Sequence, residues 1–448
     1  MRVGFLGHDL HGLTVGPDGR LYFTIGDRGA HIVTPYGRTV SNPECGAFYR
    51  CEFDGSGLEI VARGLRNPEE IAFDEFGNWF TGDNNSDGGD PARWVSLVEG
   101  GDSGWHIGFQ FIDRPNSRGP WIAEKMCYPS GEGQPSYILP PIATIASGPA
   151  GLAHDPGTGL PERYRHHFFL CDFTGGRGSG VHSFALKPKG AGWEMVDRDH
   201  LVSEILSTDV EIGPDGGVYV SDWVEGWDKT GKGRIYRIGD PAMAKDPLRL
   251  ETRDLLAAGF EKRSVGELVK LLSHADQRIR LRAQFALVDK GAPGESAFKG
   301  VLKSKGDLMA KVHAYWGLGQ RFRREASPSR RRELASVFLR GLADAAPELR
   351  GEAAKALGEA GWKEASGALA SLTRDAEPRV RFLAGMEKEK SERYCSARWD
   401  EKFLQGSANN IFGNAFYVNQ GGGKFAERSD ALGVETYWPW GPSVGDLN

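Results

Sequence analysis

The sequence predicts a multidomain chain: an all-β, propeller-like half, an α-solenoid of paired helices, and a short β-rich tail. Three observations carry this. One turn-and-strand phrase is restated through the first 240 residues, the texture changes near Pro247 to Ala, Leu, Arg and Lys at helical spacing, and a third texture starts after Met386. At 448 residues the chain is about three times a usual domain, so several cores are expected.

The first phrase is a Gly-Pro-Asp-Gly or Asp-x-x-Gly turn feeding a short strand of alternating aromatic and aliphatic residues. It reads GPDGRLYFTIGD from Gly16, FDEFGNWFTGD from Phe73, HDPGTG followed by HHFFLCDF from His166, and GPDGGVYVSDW from Gly213. Such recurrence fits propeller blades, each packed on its neighbours, and about four are visible. Residues 1–245 are assigned to this part. In residues 250–388, HADQRIRLRAQFAL places Ile279, Leu281, Ala283 and Ala286 in one helical stripe, and APELRGEAAKALGEAG and DAEPRVRFLAG restate it. An acidic or Pro turn, an aliphatic-Arg pair and paired alanines form the phrase of HEAT-type repeats. These residues are expected to be core.

Composition excludes several partners. Lys plus Arg is 55 against 60 for Asp plus Glu, a net charge of −5 without a long run of one sign, which argues against nucleic acid. No stretch approaches the roughly 18 apolar residues of a membrane span. The five cysteines form no CxxC pair and no CxxCH haem site; Cys45 and Cys51 either bridge a loop or serve as small buried hydrophobes. The N-terminus lacks the basic start and apolar core of a signal peptide.

Two phrases go beyond turn chemistry: GHDLHGLTVGPDGRLYFTIGDRG (7–29), and GLRNPEEIAFDEFGNWFTGDNNSDGGDPARWVSLVEGGDSGWHIGFQ (64–110). In their His…GPDG, LRNP and DxGW wording they resemble the soluble glucose and sorbosone dehydrogenases, over roughly residues 7–237. The resemblance implies a six-bladed propeller, here incomplete, that uses pyrroloquinoline quinone and calcium to oxidise sugars. Carried over by position, the catalytic base falls on His8, an imidazole able to take a hydroxyl proton. The pair that stabilises the reduced cofactor falls on Arg66 and Asn67. The calcium loop falls on Asp83, Asn84 and Asp87, with Asp90 assisting; read without the resemblance, these are equally turn formers.

The wording departs from that family at two places. Gly7 stands where the family has an Asp beside its His, so the orienting partner is expected from Asp9 or His11. Near the last blade, LSTDVEIGPDG puts Leu206 and Thr208 where two arginines hold the quinone carboxylates, with Asp209 as the candidate cofactor contact and Arg177 or Arg28 as substitutes.

The wording also resembles large secreted proteins of planctomycete and verrucomicrobial type, called membrane-bound dehydrogenase-like, that join such a propeller to HEAT repeats. That resemblance implies secretion or a periplasmic location. It also implies a small sugar or polysaccharide as ligand, with a protein partner on the helices as a further expectation. The tail, 405–448, resembles a VCBS or FG-GAP repeat through FYVNQGGGKFAE and WGPSVGDLN, with Asp446 and Asn448 opening a calcium loop. The early blades of the family precede its His, so a longer parent protein is expected. The functional expectation is a quinone-dependent sugar or alcohol dehydrogenase-like protein; the alternative is a non-catalytic propeller and helical scaffold for protein or polysaccharide binding.

Overall fold

The computed structural model describes residues 7–106, 119–129, 138–228, 231–391, 417–419 and 425–427. Residues 1–391 form one compact unit and 392–448 a second.

Each recurring phrase becomes the turn and second strand of one antiparallel sheet. The first sheet runs β1 (Leu10–Val15), β2 (Leu21–Ile25), β5 (Gly46–Cys51), β6 (Glu59–Leu65), with the hairpin β3 (Ala30–Val33) and β4 (Thr39–Asn42) inserted. The second holds β7 (Ala72–Phe73), β8 (Trp79–Asp83), β9 (Arg93–Ser96) and β10 (Ala143–Thr144). The third holds β11 (Pro149–His154), β12 (His167–Asp172), β13 (Gly180–Lys189) and β14 (Gly192–Ser203). The fourth holds β15 (Ser207–Ile212), β16 (Val218–Asp222) and β17 (Arg234–Ile238). The turns close by backbone bonds such as Gly19 N to Gly16 O and Gly77 N to Asp74 O, with both glycines at positive φ, where a side chain would be strained.

Aromatic wedges join successive sheets. Tyr22 and Phe48 of the first meet Trp79 of the second, and Phe80 and Trp94 of the second meet Phe168 and Phe184 of the third. Each such ring contributes about 1.5–3 kcal/mol through burial alone. Trp227 does not join them: it stays 72% exposed, edge-on to Phe173.

A short helix α1 (Gly119–Ala123) follows the second sheet's third strand. After the fourth sheet come α2 (Pro247–Ala258), α3 (Val265–Leu271), α4 (Gln277–Asp289), α5 (Ala292–Lys303), α6 (Leu308–Arg324), α7 (Pro328–Gly341), α8 (Pro347–Glu359), α9 (Ser366–Leu372) and α10 (Pro378–Ser391). The acidic turns read from the sequence are N-caps: Asp276 and Asp307 accept from Arg278 N and Ala310 N. Helices α3 with α4, α5 with α6, α7 with α8 and α9 with α10 pack as pairs, while α4, α6, α8 and α10 lie side by side in succession.

That second row covers the turns of the sheets. Gln284 and Gln320 both donate to Pro17 O, Gln277 Nε2 donates to Asp74 O, Arg278 to Ile212 O and Gly213 O, and Arg379 to Asn78 Oδ1. Arg50, 3% exposed, joins Glu59 (2.8 Å), Glu99 (2.7 Å) and Glu359 of α8 (3.0 Å). The helices thus close the turn end of the sheets, and the opposite strand ends carry the site.

Cys45, Cys51, Cys127 and Cys171 are free and buried. Cys45 and Cys51 flank the length of β5, and six extended residues hold them about 20 Å apart, beyond any disulfide. In the second unit, Tyr417–Asn419 pairs with Phe425–Glu427 as a hairpin. Asp446 and Asn448 lie outside the described residues. Among the described residues no helix is long and apolar enough to cross a membrane.

Candidate active site

The second strand of each of the four sheets runs away from its helix-covered turn toward an aspartate: β8, β12 and β16 end on Asp83, Asp172 and Asp222, while β2 ends at Ile25 and Asp27 stands two residues further on. In three sheets this carboxylate ties down the backbone that enters the first strand. Asp83 accepts from Arg66 N (2.9 Å) and Asn67 N (3.0 Å). Asp172 accepts from Ser147 N and Gly148 N, and Asp222 from Leu206 N and Val224 N.

In the first sheet the incoming segment is met at a side chain. Asp27, 1% exposed, lies 2.6 Å through Oδ1 from His8 Nδ1 and accepts from Trp105 Nε1 through Oδ2 at 2.9 Å. Its own N–H donates to Arg66 O, and the Arg66 guanidinium lies over the Trp105 ring at 5.7 Å. The partner of His8 is therefore Asp27, where Asp9 or His11 was expected. His11 turns to Gly7 O and Asp9 faces Arg28 at 3.5 Å. The TIGD and DxGW phrases contained the answer, but pairing residues 19 and 78 positions apart requires the fold.

Arg66 donates to Asn85 O and to Asp87 Oδ2 (2.6 Å). Asn67, 1% exposed, donates to Glu69 Oε1 at 3.1 Å and packs beneath Gly26, where a Cβ would fall 2.5 Å from Asn67 Oδ1. Burial pushes the Glu69 carboxyl up to about 7, with the Asn67 bond opposing. Glu70, bound to Leu152 N, is pushed up to about 9 by burial and then by the charge of Asp209. Asp209 is thus placed beside a second carboxyl rather than a cation.

The expected calcium ligands do not converge. Asp83 is taken by the two backbone donors and by Arg93, which also donates to Ser103 O and lies over Trp121 at 4.4 Å. Asp90 accepts from Ser86 N (3.0 Å), Ser86 Oγ (2.6 Å) and Trp121 Nε1 (2.9 Å). Asp87 pairs with Arg66, and Asn84 adds only an amide oxygen. With Asp83 and Asp90 each taken up by several internal donors and Asp87 turned to Arg66, the four residues leave too few open oxygens for a hard cation that needs six or more. Among the described residues no cluster of three or more His, Cys, Asp or Glu is set to hold a metal.

Nor do the residues fit a tricarboxylate quinone. Leu206 is buried, Thr208 bonds Ser221 at 2.8 Å, Arg177 sits exposed in the 173–179 loop, and the Asp209 carboxylate would repel a carboxylate.

The sheet region matches, over residues 6–241, the family described as Domain of unknown function (DUF7133), and the chain belongs to that family. No curated protein matches it. Among solved structures it is similar to a glucose dehydrogenase, 17% identical over 51% of this chain and 63% of that one, TM-score 0.36. It is also similar to the PQQ-bound form of aldose sugar dehydrogenase from Streptomyces coelicolor, at 19% identity over 51% and 61%, TM-score 0.33. A gluconolactonase from Xanthomonas campestris gives 15% over 52% and 62%, TM-score 0.28. The chain spans about six-tenths of the length of each.

Proposed function

We propose that the sheet region is a sugar dehydrogenase-like propeller in which His8, held by Asp27, accepts the proton of a sugar or polyol hydroxyl. The single observation behind this reading is the His8–Asp27–Trp105 arrangement, in which an aspartate just beyond the second strand of its sheet serves a side chain able to move a proton. Asp27 on Nδ1 fixes the tautomer and steadies the imidazolium formed when Nε2 takes the proton. Arg66, over Trp105, supplies positive charge beside the pair. These residues provide the proton-accepting half of such an oxidation. The sequence resemblance supports a carbohydrate as the ligand class and a secreted or periplasmic setting, and the paired helices read as HEAT-type repeats backing the propeller.

The second reading, a non-catalytic scaffold, is favoured by the internally paired carboxylates and by Leu206 and Thr208. Oxidation of aldoses and polyols by the protein and by His8→Ala, followed with a redox dye as electron acceptor and with and without added pyrroloquinoline quinone and calcium, separates the two. Dye reduction that depends on carbohydrate and is lost in His8→Ala is the expected result. A well-folded protein that binds carbohydrate without reducing the dye, or ignores carbohydrate altogether, leaves the scaffold reading standing.

A further inference from the structure

Beside this pair lies a second constellation that the proposed function does not use. Cys45, 1% exposed, sits at the start of β5 in a small buried cluster with Trp105, Trp121 and Cys127. The Gly64 N–H donates to its Sγ at 3.3 Å, and Sγ lies 3.5 Å from Asn42 Oδ1. Gly64 has φ +76°, and a Cβ there would collide with Asp102 Oδ1 and with the N–H groups of Ser103 and Gly104. A bare backbone at 64 therefore lets the Asp102 loop close over the sulfur.

That loop delivers a histidine. His106 Nε2 lies 2.7 Å from Asp102 Oδ2, while Asp102 Oδ1 is fixed by Gly104 N at 2.8 Å. The rest of the His106 ring lies against the Cys45 thiol. Hydrogen bonds to Asp102 and Cys45 raise His106 to about 10, so the ring is an imidazolium at neutral pH. Burial opposes ionisation of Asp102, but the His106 bond and charge outweigh it and hold the carboxyl below its usual range. Arg63 adds a further positive charge facing Asp102. A thiol, an imidazolium and a carboxylate in series, with an amide N–H on the sulfur, are the parts that activate a cysteine toward small electrophiles.

We propose that Cys45 is an oxidative modification site, a thiol that reacts selectively with hydrogen peroxide under the direction of the His106–Asp102 pair. Sulfur attacks one peroxide oxygen; the S–O bond forms as the O–O bond breaks, the departing hydroxide takes the His106 proton and leaves as water, and the thiol proton passes to the imidazole left behind. Cysteine is oxidised by two electrons to sulfenic acid and peroxide is reduced. Burial of Cys45 beneath the half-exposed His106 restricts the reaction to an oxidant scarcely larger than water. The sulfenic acid is then open to condensation with a second thiol, its hydroxyl leaving as water, and Cys127 is the other cysteine of the same cluster.

The test exposes the native protein to dilute hydrogen peroxide, removes the oxidant, unfolds the chain in dimedone and maps each cysteine by mass. Cys45 is expected to be trapped as sulfenic acid, or found joined to Cys127, well before Cys51 or Cys171 changes. His106→Gln is expected to slow the loss of the Cys45 thiol by about tenfold or more. Asp102→Asn is expected to slow it less. A variant that merely loosened the fold would speed oxidation at every buried cysteine, so slowing at Cys45 alone separates activation from damage. Equal rates at all cysteines, or an unchanged Cys45 rate in His106→Gln, overturns the proposal.

Discussion

All four sheets carry an aspartate at or just past the end of the second strand, and the first uses it differently from the other three. Asp83, Asp172 and Asp222 spend their oxygens on backbone N–H groups that would otherwise be buried without partners, a structural duty repeated from sheet to sheet. Asp27, two residues beyond the end of its strand, grips the imidazole of His8 and the indole of Trp105. The other three sheets set a baseline, and the departure of the first from it is what directs the proposed function to this sheet. By that standard the GDNNSDGGD loop, rich in carboxylates as it is, belongs to the baseline, and Asp27 does not.

The largest effect should come from the baseline itself. Asp83 is fully buried, anchors Arg66 N and Asn67 N and pairs with Arg93, so Asp83→Ala strands a buried guanidinium. A loss of about 3–5 kcal/mol is expected in denaturant unfolding. A loss below about 1 kcal/mol would mean that Asp83 is not a structural anchor and would reopen it as a ligand.

Glu70 comes next, because it lies beside Asp209 and is buried. Its raised folded-state value means that it takes up a proton on folding between its ordinary range and about pH 9. Its contribution is thus fully favourable in acid and is lost as pH rises through that window. Glu70→Gln keeps an acceptor for Leu152 N and removes the titration. It should leave stability near pH 4 unchanged and raise it near pH 8 by about 3 kcal/mol after relaxation, below the upper bound of about 4.8 kcal/mol that 1.36 kcal/mol per unit sets between the ordinary range and pH 8. Melts of both proteins across pH check this, and parallel curves would show that the two carboxyls do not share a proton.

The four turn-and-strand units and the helical change near Pro247 were legible because turns and periodicity are local. Core residues such as Ile279, Ala283 and Ala286 were legible for the same reason. Gln277, Gln284 and Gln320 were not: a buried glutamine reads as surface until the turn it binds is brought to it from 203 to 303 residues away. The structure brings His8, Arg66 and Asn67 near one another, since His8 and Arg66 both border Asp27 and Asn67 follows on the same segment. The saturation of Asp83 and Asp90 by internal donors was invisible, because composition gives the oxygens in a loop but not the N–H groups around them.

Asp27→Asn addresses the comparison directly. The amide keeps the shape and an acceptor for Trp105 but withdraws the charge from His8, so a stability loss of only about 1–2 kcal/mol is expected, well short of Asp83→Ala. Nitrogen NMR of the His8 ring should show the Nδ1-protonated tautomer in the native protein and a mixture in the variant. If Asp27→Asn costs as much as Asp83→Ala and leaves the tautomer untouched, the first sheet is structural like the others.

The smallest expected effect lies at the far end of the same strand. Gln284 Nε2 donates to Pro17 O at 2.7 Å, and Gln284 Oε1 accepts from His313 Nδ1 at 2.8 Å. His313 Nε2 in turn accepts from Arg280 Nε at 3.1 Å, so the ring must be neutral, and burial followed by the Arg280 charge holds it far below its ordinary range. Gln284→Ala leaves the His313 N–H without its partner, while Pro17 O keeps Gln320 at 3.3 Å. The cost should be about 1–2 kcal/mol, since one buried donor is stranded rather than two groups. Because the unfolded His313 gains a proton that the folded one refuses, the native protein loses stability as pH falls below about 6.5, and the variant should lose it in parallel. A variant whose melts no longer respond to acid would show that the first turn is held through His313 itself and not through the glutamine.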